Sequence, residues 1–221
     1  SEQNGGGCTL SSIIASQGLF KFSDIFFEEQ PLAVSKMGKG TGSKVVSAVM
    51  QKLPAVFIDE VCQDDEYVKI LGRIDNRRAY KFIKRKYLVE NKFIDAYKLF
   101  IPEANGNGEY GEILTEPIIG CPAEVSSDTY LNAGPFQFEE EAAHLKKYLK
   151  SKLLRALLGV KKVTQHCPPA VWEMIPMQDF TVDSDIDWSQ SVSGIDRQLY
   201  RKYGLDQREI EFIESHVKEM E

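Results

Sequence analysis

Residues 138–180 constrain the fold most, because a long amphipathic pattern, a run of cations and a proline stop follow one another there without interruption. Leu145, Leu149, Leu153, Ala156, Leu157 and Val160 recur at spacings of three and four, which places them on one helical face. Lys146, Lys147, Lys150, Lys152 and Arg155 fall at the other positions. Glu139, Glu140 and Glu141 suit the positive end of a helix dipole, and Gly159 followed by Lys161 and Lys162 suits the negative end. The spacing therefore predicts one long central helix. Pro168-Pro169 ends it, since neither residue can donate a backbone hydrogen bond. The apolar run Val171-Trp172-Glu173-Met174-Ile175, stopped by Pro176, then reads as a strand lying against that helix.

The net charge of −6 on 221 residues would argue against a polyanionic partner, but the charge is unevenly spread. Between Lys69 and Lys92 nine Lys and Arg face only Asp75 and Glu90, and between Ala142 and Thr164 seven Lys and Arg face no acid at all. From Glu173 onward twelve acids oppose five bases. Two cationic segments in an acidic chain suggest a charged face turned toward a polyanion, with the acidic tail elsewhere. The competing account is two solvated faces.

Residues 67–71 and 79–89 read as strands joined through Gly72, Asp75 and Asn76, which gives a basic hairpin. Tyr80, Phe82 and Tyr87 interleave with its cations, a mixture suited to phosphate contacts from long side chains over apolar support. Arg73, Arg77 and Arg78 near the turn are candidates to reach a guanine edge, with Lys81, Lys84 and Arg85 gripping phosphate. Residues 95–102 read as a buried strand, and Asn105-Gly106-Asn107-Gly108 as a loop. Further short strands are expected at 117–120 and 129–133. Ser193 and Asp206 are expected to cap two closing helices, Asp206 in a capping box with Glu209. The class expected is α+β, with a mixed or antiparallel sheet, one long central helix and a C-terminal helical pair.

Cys8, Cys62, Cys121 and Cys167 show no Cys-x-x-Cys pair, and His144, His166 and His216 offer no zinc spacing, so no metal site and no disulfide framework is expected. The glycine-rich run 36–44 fails as a phosphate loop, because Gly42 is followed by Ser43 and Lys44 in reversed order. No leader or membrane span is indicated, and a cytoplasmic location is expected. Residues 1–53 are expected to be a linker with short helices, Ser23 capping one of them, and 54–221 a separate domain.

Several ordered motifs carry a resemblance: residues 97–106 (Tyr-Lys-Leu-Phe-Ile-Pro-Glu-Ala-Asn-Gly), Gly134-Pro135-Phe136 ahead of Glu140-Glu141-Ala142, Lys150 to Arg155, Lys162-Val163-Thr164-Gln165, Ile175 to Phe180, and Leu199 to Leu205. Together they resemble the C-terminal part of bacterial type II restriction–modification proteins that methylate adenine, where a target-recognition domain follows the methyltransferase. The resemblance covers roughly residue 67 to the end. It implies sequence-specific binding of double-stranded DNA, an upstream methyltransferase domain as partner, and S-adenosylmethionine as cofactor of that parent protein, with no cofactor in this stretch. The Asn-Pro-Pro-Tyr/Phe motif that holds the flipped base in such methyltransferases is missing here, so catalysis is not expected of this chain.

The candidate DNA-binding residues are thus Arg73, Arg77, Arg78, Lys81, Lys84, Arg85, Lys98, Asn105, Lys161, Lys162 and Gln165, with Asn105 and Gln165 as base readers. Two alternatives stay open. One is a metal-dependent nuclease using Asp75, Glu90 and Lys92; the other is a docking module for a methyltransferase subunit, built on residues 139–159 and the closing helices.

Overall fold

Two apolar clusters, each built on its own small sheet, organise the computed structural model of this chain. The structure describes residues 8–38, 41–61, 66–104, 109–161 and 169–220, with the backbone alone for Lys161 and Pro169. In chain order the elements are β1 (Ile14–Ala15), α1 (Asp24–Glu29), α2 (Pro31–Lys36), α3 (Ser47–Lys52), β2 (Tyr67–Ile74), β3 (Arg77–Lys84), β4 (Tyr97–Pro102), β5 (Ile118–Gly120), β6 (Glu124–Ser126) and β7 (Tyr130–Phe136). There follow α4 (Glu139–Lys150), α5 (Lys152–Lys161), α6 (Val192–Lys202) and α7 (Gln207–His216). The class is α+β. One sheet has the order β1-β7-β4-β5 and is antiparallel throughout. The other, β3-β2-β6, is mixed, with β2 antiparallel to β3 and parallel to β6.

The larger cluster fills the space between the four-stranded sheet and the C-terminal helices, bringing Leu99, Leu131, Leu145, Leu149, Trp172 and Leu199 together. The smaller one lies under the hairpin, where Phe22, Phe26, Met50, Phe57, Ile70 and Ile83 meet. Ser23 starts α1 as expected, its Oγ accepting the Phe26 amide. The boundary expected between residues 53 and 54 does not divide the chain: Met50, Leu53, Val56 and Phe57 are buried in one core with strands β2 and β3. Phenylalanines from residues 20–27 supply much of that core, so these short helices pack on the hairpin.

The single long helix expected for residues 139–159 is two helices with an elbow at Ser151, whose ψ of 145° is extended. The apolar spacing runs on across the elbow, because the second helix begins again on nearly the same face. What breaks the ladder is a separate cap: Asp196 on α6 accepts the Lys152 amide at 3.0 Å and the Leu153 amide at 3.1 Å, and Ser151 Oγ accepts from Leu154 at 3.3 Å. Three of the orphan donors at the start of α5 are thereby satisfied inside the protein. At the start of α4, Glu141 reaches back to the amides of Gln137 and Phe138.

The expected strand at 171–175 is a 3-10 helix, Pro169–Met174. Val171, Trp172 and Ile175 are buried while Glu173 and Met174 are exposed, a helical spacing and not the alternation of a strand. Helix α6 is capped by Ser191, not by the expected Ser193; Ser191 Oγ accepts the Gly194 amide at 3.2 Å. Asp206 caps α7 as expected, accepting from Arg208 and Glu209 while Glu209 accepts the Asp206 amide. Cys8 and Cys121 are free thiols. Among the described residues, no helix is long and apolar enough to cross a membrane.

Candidate nucleic-acid interface

The hairpin is tighter than its sequence suggested. Strands β2 and β3 pair over eight residues each and are joined by Asp75 and Asn76 alone, both with positive φ (49° and 60°). Two residues in the left-handed region match the twist of the flanking strands, which is why Asp and Asn serve here. The seven-residue connection expected from Gly72 to Arg78 is therefore strand at both ends. Gly72 is required for another reason: a Cβ there would overlap the Met50 sulfur and come within 3.1 Å of Ser47 Oγ. This close approach seats α3 on the hairpin, where Ser47 Oγ also accepts the Arg73 amide at 2.9 Å.

The register decides which cations share a face. Val68, Ile70 and Ile83 turn into the smaller core. The opposite face carries the facing pairs Tyr67 with Lys84, Lys69 with Phe82, Leu71 with Tyr80, and Arg73 with Arg78. Lys84 Nζ lies 5.8 Å from the centre of the Tyr67 ring, and Lys69 Nζ 4.3 Å from that of Tyr80. Each such contact is worth about 0.5–1 kcal/mol at an exposed site. Lys69 was not among the expected contacts; the alternation of the strand pattern was the signal that could have placed it beside Tyr80. It also bonds Glu124 at 2.9 Å, and that hydrogen bond raises its pKa.

At the tip the three arginines differ. Arg73 donates to the carbonyl of Asn76 within the turn (2.8 Å), and Arg78 donates to the carbonyl of Glu116 (2.7 Å). Arg77 is exposed, and its side chain makes no hydrogen bond or ion pair among the described residues. Further along β3, Lys81 pairs with Asp59.

Two expected contacts are occupied elsewhere. Arg85 grips Glu90 through two bonds of 2.8 Å and Asp95 through bonds of 2.7 and 2.6 Å. Both carboxylates raise its pKa, and Arg85 in turn lowers that of Asp95. Such a forked guanidinium organises the chain after β3 and has little capacity left for phosphate. Lys98 is fully buried. Its ammonium donates to the carbonyls of Phe93 (2.8 Å), Ile94 (3.2 Å), Ala96 (2.7 Å) and Cys121 (2.8 Å), so it faces inward and not toward a polyanion. Burial pushes its pKa down to about 8, while four carbonyl dipoles favour the protonated form. Asn105, Lys162 and Gln165 lie outside the described residues; Lys161 closes α5, its side chain likewise outside them.

The two cationic segments meet at Glu116, in the irregular stretch before β5. Its carboxylate receives Lys146 at 2.8 Å and Lys150 at 3.0 Å from α4, while its carbonyl receives Arg78 from β3. Burial pushes the Glu116 carboxyl up, and the two lysines outweigh it, leaving its pKa below the usual value. Beside the elbow, a cleft of about 830 Å³ is lined by Lys147, Lys150, Lys152, Arg155, Ser191 and Asp196 among others. Lys147 donates to the carbonyls of Trp188 and Gln190, and Lys152 pairs with Glu214 at 2.5 Å.

The nuclease triad does not assemble. Asp75 precedes β3 and Glu90 follows it, and eight strand residues at about 3.3 Å each hold them roughly 25 Å apart. Glu90 is spent on Arg85. Among the described residues, no group of three or more His, Cys, Asp and Glu is placed to hold a metal. No family model, curated protein or solved structure matches the chain.

Proposed function

We propose that this chain is the sequence-specific DNA-recognition region of a restriction–modification adenine methyltransferase, holding duplex DNA for a catalytic domain that flips and methylates an adenine. The observation that carries the DNA-binding part is the hairpin tip, where a two-residue turn presents Arg73, Arg77 and Arg78 and leaves Arg77 without a hydrogen-bond or ion-pair partner among the described residues. A two-stranded ribbon is narrow enough to enter a major groove, and arginine pairs in bidentate fashion with guanine. Lys84, propped on Tyr67, extends the face of Arg73 and Arg78 along the strands as a phosphate contact that fixes orientation without reading sequence, with Lys69 beside Tyr80 held by Glu124 on that same face. The methyltransferase part rests on the ordered motifs between residues 97 and 205, and S-adenosylmethionine belongs to that catalytic domain.

The test is fluorescence anisotropy on pools of duplex DNA across a salt series. Arg77→Ala combined with Arg78→Ala is expected to weaken binding and flatten the slope of log K against log salt by about one to two. Unchanged affinity and slope would remove the hairpin from the interface.

A further inference from the structure

We propose that Lys146 and Lys150 form a phosphate site that Glu116 fills in the free protein, so that an incoming phosphate group takes the place of this internal carboxylate. The inference rests on the DNA-binding reading and adds to it a competitor carried by the chain itself.

The two lysines stand one helical turn apart on α4, where like charges repel. No acid on their own helix lies within four positions of either lysine, because its three glutamates are confined to the first turn. The neutralising group comes from about thirty positions earlier in the chain, out of a stretch without regular structure. Glu116 accepts from both ammonium groups at once, at 2.8 and 3.0 Å, as a phosphate oxygen would. Its side chain is 45% exposed, whereas those of Lys146 and Lys150 are 27% and 14% exposed. The acid is therefore the outer member of the trio, and it can leave toward solvent while the lysines stay seated. A second tie keeps it near: Arg78 holds the Glu116 carbonyl at 2.7 Å, so engagement of the hairpin by DNA pulls on the same residue.

Exchange of one anion for another releases less counterion than binding to vacant lysines would. Glu116→Gln keeps the backbone tie to Arg78 and removes the competing charge. It is expected to tighten binding to duplex DNA by about three- to tenfold near 0.1 M salt and to steepen the salt slope by about one. Glu28→Gln, an exposed acid on α1, controls for the change in net charge and is expected to do neither. Lys146→Gln added to Glu116→Gln should abolish the gain.

A second measurement separates this inference from the reading it rests on. In the ¹⁵N-labelled protein, inorganic phosphate at fixed ionic strength should shift the amide resonances around Glu116 and Lys146, saturating at lower phosphate in Glu116→Gln. Saturable shifts without duplex binding would sustain the site and overturn the DNA reading. Duplex binding with Glu116→Gln indistinguishable from Glu28→Gln would overturn the site and leave the DNA reading standing. Absence of phosphate shifts in both proteins overturns the site as well.

Discussion

Asp196 caps a helix to which it does not belong: from α6 its carboxylate accepts the amide of Lys152, the first residue of α5, at 3.0 Å. It also accepts from Leu153, and both groups are buried. Burial pushes the Asp196 pKa up to about 6 from its ordinary 3.8, against the two amide hydrogen bonds that favour the carboxylate, with Glu214 adding to the rise and Arg155 opposing it. Between those values the folded protein keeps a proton that the unfolded chain has released, so this group's contribution to stability falls as pH rises from about 4 to 6. Asp196→Asn should remove that slope from a series of urea midpoints. Asp196→Ala, which leaves both amides without an acceptor, should cost about 1–3 kcal/mol at every pH.

Lys98 gives the opposite sign. Its folded pKa of about 8 lies below the ordinary 10.5, so between these values the unfolded chain binds more protons and stability from this group rises with pH. Replacement by Met removes the ammonium from four carbonyls, of which Ile94 and Cys121 keep a backbone donor in Ala123 and Glu124. Lys98→Met should lower stability by about 2–4 kcal/mol at pH 7, read from equilibrium denaturation, and should abolish the rise between pH 8 and 10.5.

Gly72 marks where α3 meets the hairpin. Gly72→Ala should destabilise by about 1–3 kcal/mol, because the new methyl meets the Met50 sulfur and the Ser47 hydroxyl. In a double-mutant cycle with Met50→Ala the two costs should fall short of their sum, since shortening residue 50 makes room. Full additivity would mean that the contact is relieved by backbone movement instead.

Asp206 supplies the simplest stability test. Its carboxylate accepts two amides at 2.8 and 2.9 Å, and Glu209 completes the reciprocal bond. Asp206→Ala should lower the thermal midpoint by an amount equivalent to about 1 kcal/mol and leave duplex binding unchanged.

What could be read from the sequence depended on how local the cause was. The Asp206 box lies within four consecutive residues, and the hairpin is announced by an Asp-Asn pair between alternating runs. The elbow at Ser151 could not be read, because its cause sits on α6 and the apolar spacing continues across it. Lys98 resembled any other cation in a strand. Its burial needs carbonyls from Phe93, Ile94, Ala96 and Cys121 to converge, and chain order does not report that convergence. The basic character of 142–164 was plain, but not that Glu116 and Glu214 arrive from outside to cover part of it.

The two-residue turn at Asp75 and Asn76 has one more consequence. Successive strand residues point to opposite sides, so Arg77 and Arg78 leave the blade of the hairpin from different surfaces. Arg78 is tethered through Glu116 on the surface of Lys69 and Lys84, and Arg77 lies on the surface of Val68, Ile70 and Ile83, exposed beyond the end of their core. A turn without slack lets neither swap roles: only a one-residue slip of β3 against β2 would exchange the surfaces of every following side chain, and that slip would carry Ile83 out of the core. The hairpin thus works as a ruler whose zero mark is the turn.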